Sequence, residues 1–173
     1  MPCGFFSRCK SNKTTYTKST YTDDIDSIEI TWKDTTPFVA PITQGKVIKV
    51  YDGDTITIAA RLPYKGSLLY RFSVRLNGID TPEIKGKNED EKQCAQLAKK
   101  ALSDIILGKT VQLREVKTEK YGRLLADVYF GNLCLNKWMI EEKYAVEYGG
   151  GTKISPPSWM YYHKTGKFLS VKT

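Results

Sequence analysis

Histidine is nearly absent from this chain of 173 residues, since the only one, His163, lies in a Ser-, Pro- and Tyr-rich segment near the C-terminus. Zinc sites built on several histidines are therefore excluded, and a nucleophile–histidine pair would depend on that single side chain. No two of the four cysteines, Cys3, Cys9, Cys94 and Cys134, have the C-x-x-C spacing of a zinc ribbon. Any catalysis must then rest on carboxylates, arginines and a metal ion.

Long apolar runs are also missing. No stretch approaches the ~20 apolar residues of a membrane span, and residues 1–10 lack the apolar core of a signal peptide. We therefore expect an intracellular protein with free thiols. A rival hypothesis is a membrane tether, because Cys3 and Cys9 lie beside basic residues and two acylated thiols would anchor a chain stably. We favour unmodified thiols at both positions.

Acidic residues are outnumbered, with 19 Asp and Glu against 27 Lys and Arg, which gives a net charge of +8. A basic excess of this size favours an acidic partner, either nucleic acid or an anionic membrane. Apolar residues at 40% and charged residues at 27% are typical of a globular protein. The length predicts one domain plus an extension.

The chain divides into three predicted regions. Residues 1–40 are a polar, flexible N-terminal extension, although Ile28, Ile30 and Trp32 alternate with polar residues and fit either an edge strand or a clasp on the domain. Residues 41–150 are the domain. Residues 151–173 are a C-terminal tail with room for a shortened last helix.

The domain alternates short strands and helices. Strand patterns cover residues 46–51, 55–58, 68–77, 110–116 and 124–130, and helical patterns cover 88–107 and 135–143. Five short strands with a helix between the third and fourth predict a mixed α+β, mainly β fold. We expect a five-stranded Greek-key barrel of the OB-fold type with two or three helices.

Three short motifs carry the candidate chemistry. They are Asp-Gly-Asp-Thr at 52–55, Arg-Leu-Asn-Gly-Ile-Asp-Thr-Pro-Glu at 75–83, and Lys-Tyr-Gly-Arg at 120–123. Each motif alone also fits an ordinary turn or loop with solvated charges. Together they supply hard oxygen ligands for Ca²⁺ or Mg²⁺ in Asp54, Asp80 and Glu83. They also supply Arg75 and Arg123, whose planar guanidinium groups can bind a phosphate through two hydrogen bonds. This combination indicates phosphodiester hydrolysis.

The three motifs, in this order and with the helix between the second and third, resemble those of the staphylococcal (thermonuclease-like) nuclease family over residues 44–148. The resemblance implies that Ca²⁺ binds the Asp54 and Asp80 carboxylates and the Thr81 carbonyl, with Asp52 nearby. It implies that Glu83 holds the attacking water, as general base or as orienter. Arg75 would bind the scissile phosphate and stabilise the transition state, and Arg123 would also assist the leaving group.

The same resemblance implies substrate contacts. Lys120 and Tyr121 would lie near the nucleotide phosphates, and Tyr148 would lie under the bound base. The expected protein is a monomeric, calcium-dependent endonuclease that cleaves DNA, RNA or both with little sequence preference. It would act on single strands or locally open duplex, breaking the P–O5′ bond and leaving 3′-phosphate ends.

The alternative is a catalytically silent OB-fold module that binds nucleic acid or protein, because the family includes degenerate copies. The full set of Asp54, Arg75, Asp80, Glu83 and Arg123 favours the enzyme. One departure from the family is the C-terminus, where Pro156 and Pro157 replace the usual long third helix.

Overall fold

A computed structural model of the protein describes residues 29–119 and 121–169. The predictions for Cys3, Cys9 and Lys120 lie outside the described residues. The chain divides at Pro37–Phe38, so residues 29–37 and 38–169 are described separately.

Residues 29–37 contain a single 3₁₀ turn over Trp32–Asp34. The Asp34 carboxylate accepts hydrogen bonds from the Thr31 amide at 2.9 Å and from the Thr31 hydroxyl at 2.6 Å. These bonds close a tight turn. The predicted edge strand is therefore wrong at Ile30 and Trp32, and Ile28 lies outside the described residues.

Phe38 onwards forms a barrel with short additional strands. The strands are β1 (Gln44–Val50), β2 (Thr55–Arg61), β3 (Leu69–Leu76), β4 (Ile79–Asp80), β5 (Thr110–Thr118), β6 (Leu124–Phe130), β7 (Leu133–Cys134) and β8 (Val146–Glu147). The main sheet has the order β3-β2-β1-β5-β6-β7, and parallel pairing of β3 with β6 closes it. The predicted five-stranded OB-type barrel with three helices is confirmed.

The helices are α1 (Glu89–Ile106), α2 (Leu135–Glu141) and α3 (Trp159–Thr165). The Asn88 side chain accepts the Glu91 amide hydrogen bond at 2.8 Å and so starts α1. One face of α1 is fully buried at Cys94, Ala98 and Leu102. Alternate residues of the strands fill the interior of the barrel, which makes one hydrophobic core.

The C-terminal part returns to the barrel in a way that the sequence did not predict. Antiparallel β4–β8 pairing puts Asp80 opposite Val146. The Asp90 carboxylate of α1 accepts hydrogen bonds from the Ser158 hydroxyl at 2.9 Å and from the Trp159 amide at 2.8 Å, where α3 begins. Buried Trp159 then packs in a small cluster with Cys94 and Val146. Among the described residues, no helix is long and apolar enough to span a bilayer.

Candidate active site

The two acidic residues of the first motif lie in the turn between β1 and β2. Gly53 makes this turn possible, because a Cβ there would come within 3.0 Å of the Thr81 and Ala98 side chains. The Asp54 carbonyl accepts the Leu76 amide at 2.7 Å, and Thr55 pairs with Arg75 across β2 and β3. The turn therefore lies against both the end of β3 and the Thr81 segment.

Arg75 connects the first and second motifs. Its Nη1 lies 2.5 Å from Asp54 Oδ2, and its Nη2 lies 3.5 Å from Asp80 Oδ1. Nη2 also donates to the Ile79 carbonyl at 3.2 Å. These contacts fix the plane of the guanidinium group, and only 12% of the Arg75 side chain is exposed.

The carboxylates around Arg75 are buried. Asp54 and Asp80 are 3% and 2% exposed, and Thr81, which follows Asp80 in the second motif, is 3% exposed. Burial raises the pKa of Asp54 to about 7, because desolvation and the nearby Asp52 outweigh the attraction of Arg75. For Asp54, the cost of burial thus exceeds the compensation from its ion pair with Arg75.

The donor set fits a hard divalent cation, because all the candidate ligands are oxygens and two of them are buried carboxylates. Among the described residues, however, no three His, Cys, Asp or Glu side chains are grouped to hold a metal ion. Basic side chains engage the carboxylates instead: Arg75 binds Asp54, and Lys153 binds Asp80.

Glu83 joins the cluster through Lys153. The Lys153 ammonium lies 2.7 Å from Asp80 Oδ1 and 2.9 Å from Glu83 Oε1. Burial lowers the pKa of Lys153, but hydrogen bonds to the two carboxylates outweigh this effect and raise it overall. Half of the Glu83 side chain is exposed, so this carboxylate can reach solvent water.

Arg123 lies in the third motif and pairs with Glu119, whose Oε2 accepts from Arg123 Nε at 2.7 Å. The hydrogen bond to Glu119 raises the pKa of Arg123, and the charges of Asp54 and Asp52 add to the effect. Arg123 is therefore within electrostatic range of the acidic turn. Tyr121, in the same loop, is largely exposed.

A cavity of about 430 Å³ lies beside the cluster and is lined by Arg75, Glu119, Leu125 and Tyr148, with glycines 78, 149 and 150. A second cavity of about 460 Å³ also borders Tyr148, together with Asp127 and Tyr129. Tyr148 thus lines both cavities, and its hydroxyl donates to the Gly151 carbonyl at 3.0 Å.

Comparison with known proteins relates much of the barrel to a known family. Residues 73–156 match the family model described as staphylococcal nuclease homologue. The resemblance to the staphylococcal nuclease family that the three motifs indicate is confirmed by this match and by a relative named thermonuclease.

Several curated relatives match parts of the chain. An uncharacterized endonuclease of Haemophilus influenzae is 34% identical over 103 residues, which are 60% of this chain and 51% of that protein. A thermonuclease of Staphylococcus hyicus is 31% identical over 121 residues, which are 69% of this chain and 64% of that protein. A probable staphylococcal-like nuclease of Oryza sativa subsp. japonica is 30% identical over 78 residues, which are 45% and 20% of the two chains. The chain spans about half the length of the first two relatives it matches.

The structure brings some of the sequence-predicted residues into direct contact and leaves others in indirect contact. Arg75 contacts both Asp54 and Asp80, and Lys153 links Glu83 to Asp80. Arg123 pairs with Glu119 and is connected to the cluster only through the charges of Asp54 and Asp52. Glu119 and Arg123 lie on opposite sides of the turn between β5 and β6, where the Glu119 amide donates to the Arg123 carbonyl at 2.8 Å. No local sequence pattern indicates that Lys153 belongs to the site, because its position depends on the β4–β8 pairing.

Proposed function

We propose that the chain is a calcium-dependent nuclease that hydrolyses phosphodiester bonds of DNA, RNA or both with little sequence preference. The observation that carries this proposal is the buried Asp54–Arg75–Asp80 cluster, whose Arg75 lines a cavity of about 430 Å³. The match to the family model supports the same reaction class.

Binding would rest on phosphate contacts. The net charge of +8 attracts a polyanion to the whole protein. Arg75 is held rigidly by Asp54 and the Ile79 carbonyl, so its guanidinium group is oriented before substrate arrives. Tyr148, at the border of the two cavities, offers a ring on which a base can stack. Such contacts read the backbone and the π face of a base, which explains low sequence preference.

The calcium ion would be held by Asp54, Asp80 and the Thr81 carbonyl. When bound, it would polarise a phosphoryl oxygen and compensate the charge of the buried carboxylates.

Hydrolysis would then follow from three side chains of the cleft. Glu83 would orient the attacking water and accept its proton, since its carboxylate is exposed yet lies next to Asp80 through Lys153. Arg75 would stabilise the negative charge that develops on the phosphoryl oxygens. Arg123 would do the same and assist departure of the O5′ oxygen, which takes up a proton, so that the phosphate stays on the 3′ end.

The test is digestion of single-stranded DNA and RNA by the purified chain in Ca²⁺ and in EDTA, with the Glu83→Gln variant as the matched control. We expect cleavage only by the unaltered chain in Ca²⁺. The DNA fragments should prime a DNA polymerase only after treatment with phosphatase, because their 3′ ends carry phosphate. Full activity in EDTA would refute the metal dependence, and direct priming would refute the cleavage position.

A silent binding module is the outcome that would replace this proposal. It would retain nucleic acid in a binding assay and cleave neither substrate in any divalent cation.

A further inference from the structure

Lys153 belongs to none of the three sequence motifs. Nevertheless, among the described residues its ammonium is the cation closest to Asp80, a candidate metal ligand. Its ammonium lies 2.7 Å from Asp80 Oδ1, whereas the Arg75 guanidinium lies 3.5 Å from the same oxygen. Since Asp80 is 2% exposed, its carboxylate depends on such partners rather than on water. Lys153 therefore supplies the closer positive charge to Asp80.

The backbone explains how a residue so far along the chain reaches Asp80. The β4–β8 pairing places the chain after Glu147 beside Asp80, and the Tyr148 amide donates to the Gly78 carbonyl at 2.9 Å. The Tyr148 hydroxyl then holds the Gly151 carbonyl at 3.0 Å. Residues 149–153, which we term the Lys153 loop, thus fold back over the cluster.

The Lys153 loop has the composition of a segment that can change conformation. It begins with three consecutive glycines, and Gly150 and Gly151 have φ angles of 94° and 84°. Glycine visits both positive and negative φ at little cost, so the chain can swing Lys153 away without breaking the β4–β8 pairing. The side chain is 42% exposed, which leaves it a path to solvent.

We propose that the Lys153 ammonium is an internal competitor of the divalent cation for Asp80, so that Lys153 sets the affinity of the site for metal. The proposal rests on the proposed function, because it assumes that Asp80 is a metal ligand. An ammonium and a hard cation both seek carboxylate oxygens, and their mutual repulsion disfavours simultaneous close contact with Asp80 Oδ1. Metal binding would therefore release Lys153 from Asp80 and Glu83.

The first experiment is calorimetric titration of Ca²⁺ into the full chain and into Lys153→Gln. We expect the variant to bind Ca²⁺ about three- to tenfold more tightly, because removal of one partly exposed ion pair changes a binding constant by a factor of about that size. Lys85→Gln is the matched control, because it removes the same charge two residues from Glu83. Among the described residues, the Lys85 side chain forms no ion pair with Asp80 or Glu83. The Kd of Lys85→Gln should change less than twofold.

The second experiment measures Lys153 directly. An amine-reactive acetylating reagent is applied with and without Ca²⁺, and the labelling of Lys153 and Lys85 is quantified in the same peptide digest. Ca²⁺ should raise the labelling of Lys153 at least twofold and leave that of Lys85 unchanged.

The outcomes separate this proposal from the function on which it rests. Equal Ca²⁺ affinities for the unaltered chain and Lys153→Gln would overturn the role of Lys153 and leave the metal site intact. Weaker nucleic-acid binding by Lys153→Gln at unchanged Ca²⁺ affinity would also overturn it and assign Lys153 to phosphate. Absence of Ca²⁺ binding in both chains would overturn the metal site and the proposal together. Binding by the variant alone would support the proposal in its strongest form.

Discussion

Two buried polar regions of the same barrel differ in how well they are satisfied. Asn136 at the start of α2 is 5% exposed, and its amide makes three hydrogen bonds. Its Oδ1 accepts from the Val128 amide at 2.8 Å, and its Nδ2 donates to the Asn77 carbonyl at 2.7 Å and to the Ala126 carbonyl at 3.2 Å. Asp54 is equally buried, yet its pKa is raised to about 7 because desolvation exceeds the compensation from Arg75.

Asn136 is a buried polar group that stabilises the fold, whereas Asp54 is a buried polar group whose burial costs free energy. Asn136 is neutral and its partners are backbone groups of the β6 strand and of the turn after β3, so its burial costs little and ties α2 to the barrel. Asp54 is an ionisable group whose desolvation outweighs its ion pair with Arg75, and such perturbed groups are typical of functional sites. Substitutions in the two regions should therefore have opposite effects on stability and activity.

The largest expected effect is at Glu83. Glu83→Gln keeps the shape of the side chain and removes the charge that accepts a proton from water. We expect single-turnover cleavage to fall about 10³-fold or more, which corresponds to roughly 4 kcal/mol of barrier. Nucleic-acid Kd, measured at fixed salt, should stay the same or improve slightly because one negative charge is lost. Unchanged cleavage would remove Glu83 from the mechanism, and loss of binding together with cleavage would indicate a structural carboxylate.

Next come the two arginines. Arg75→Lys and Arg123→Lys should each lower kcat by at least ~10²-fold, since an ammonium cannot reproduce the two-pronged contact to a phosphoryl group. The pair also tests burial, because Arg75 is 12% exposed and Arg123 is 31% exposed. Thermal unfolding should show a larger loss of stability for Arg75→Lys than for Arg123→Lys. Wild-type kcat in either variant would contradict its assigned role.

Asn136→Ala provides the contrast. The substitution leaves the Val128 amide and two carbonyls without their side-chain partner, so we expect a loss of about 2–3 kcal/mol in the free energy of unfolding. Denaturant titration measures this loss, and kcat per folded molecule should remain within about twofold of wild type at low temperature. A strong fall in kcat with intact folding would show that the Asn136 region also shapes the catalytic site.

The smallest effect, with the opposite sign, is expected for Asp54→Asn without metal. The folded-state pKa of Asp54, about 7, is higher than its ordinary value of 3.8, so the native state retains this proton longer than the unfolded state. The contribution of Asp54 to stability therefore decreases from about pH 4 to about pH 7 and stays unfavourable above that range. At pH 8, in EDTA, Asp54→Asn should gain roughly 1–2 kcal/mol, a value well below the full shift because Arg75 loses its charged partner.

Denaturant titrations at pH 5 and pH 8 test that prediction. The gain of the variant should be smaller at pH 5, and Ca²⁺ should stabilise the unaltered chain more than Asp54→Asn. A variant that is less stable than wild type at pH 8 would show that the Arg75 ion pair outweighs the cost of burying the carboxylate.

Much of the barrel was predictable because its strands alternate and its first hairpin has a strong turn signal. The helical pattern over 88–107 likewise located α1, whose start at Asn88 is fixed by a local hydrogen bond. The region around β4, β8 and α3 was not predictable, because two-residue strands have no period and α3 depends on Asp90 from another helix.

The candidate site shows the same division between local and distant information. Short motifs identified Asp54, Arg75 and Asp80, whose side chains meet because adjacent strands bring them together. Lys153 and Asn136 act across long sequence separations, Lys153 on Asp80 and Asn136 on Asn77, so no short window contains both partners. Their identification required the three-dimensional register.

The parallel closure of the barrel has a consequence for when activity can arise. The barrel closes where β3 pairs with β6, through Val74–Leu124, Arg75–Leu125 and Leu76–Ala126. This pairing also aligns the Arg123 loop with Arg75. Loop closure over some fifty residues is slow and entropically costly. A growing or partly folded chain that has not yet paired β3 with β6 would have its acidic turn but no aligned arginines. The proposed nucleolytic activity would therefore require this closure, and cleavage would then report that β3 and β6 have paired.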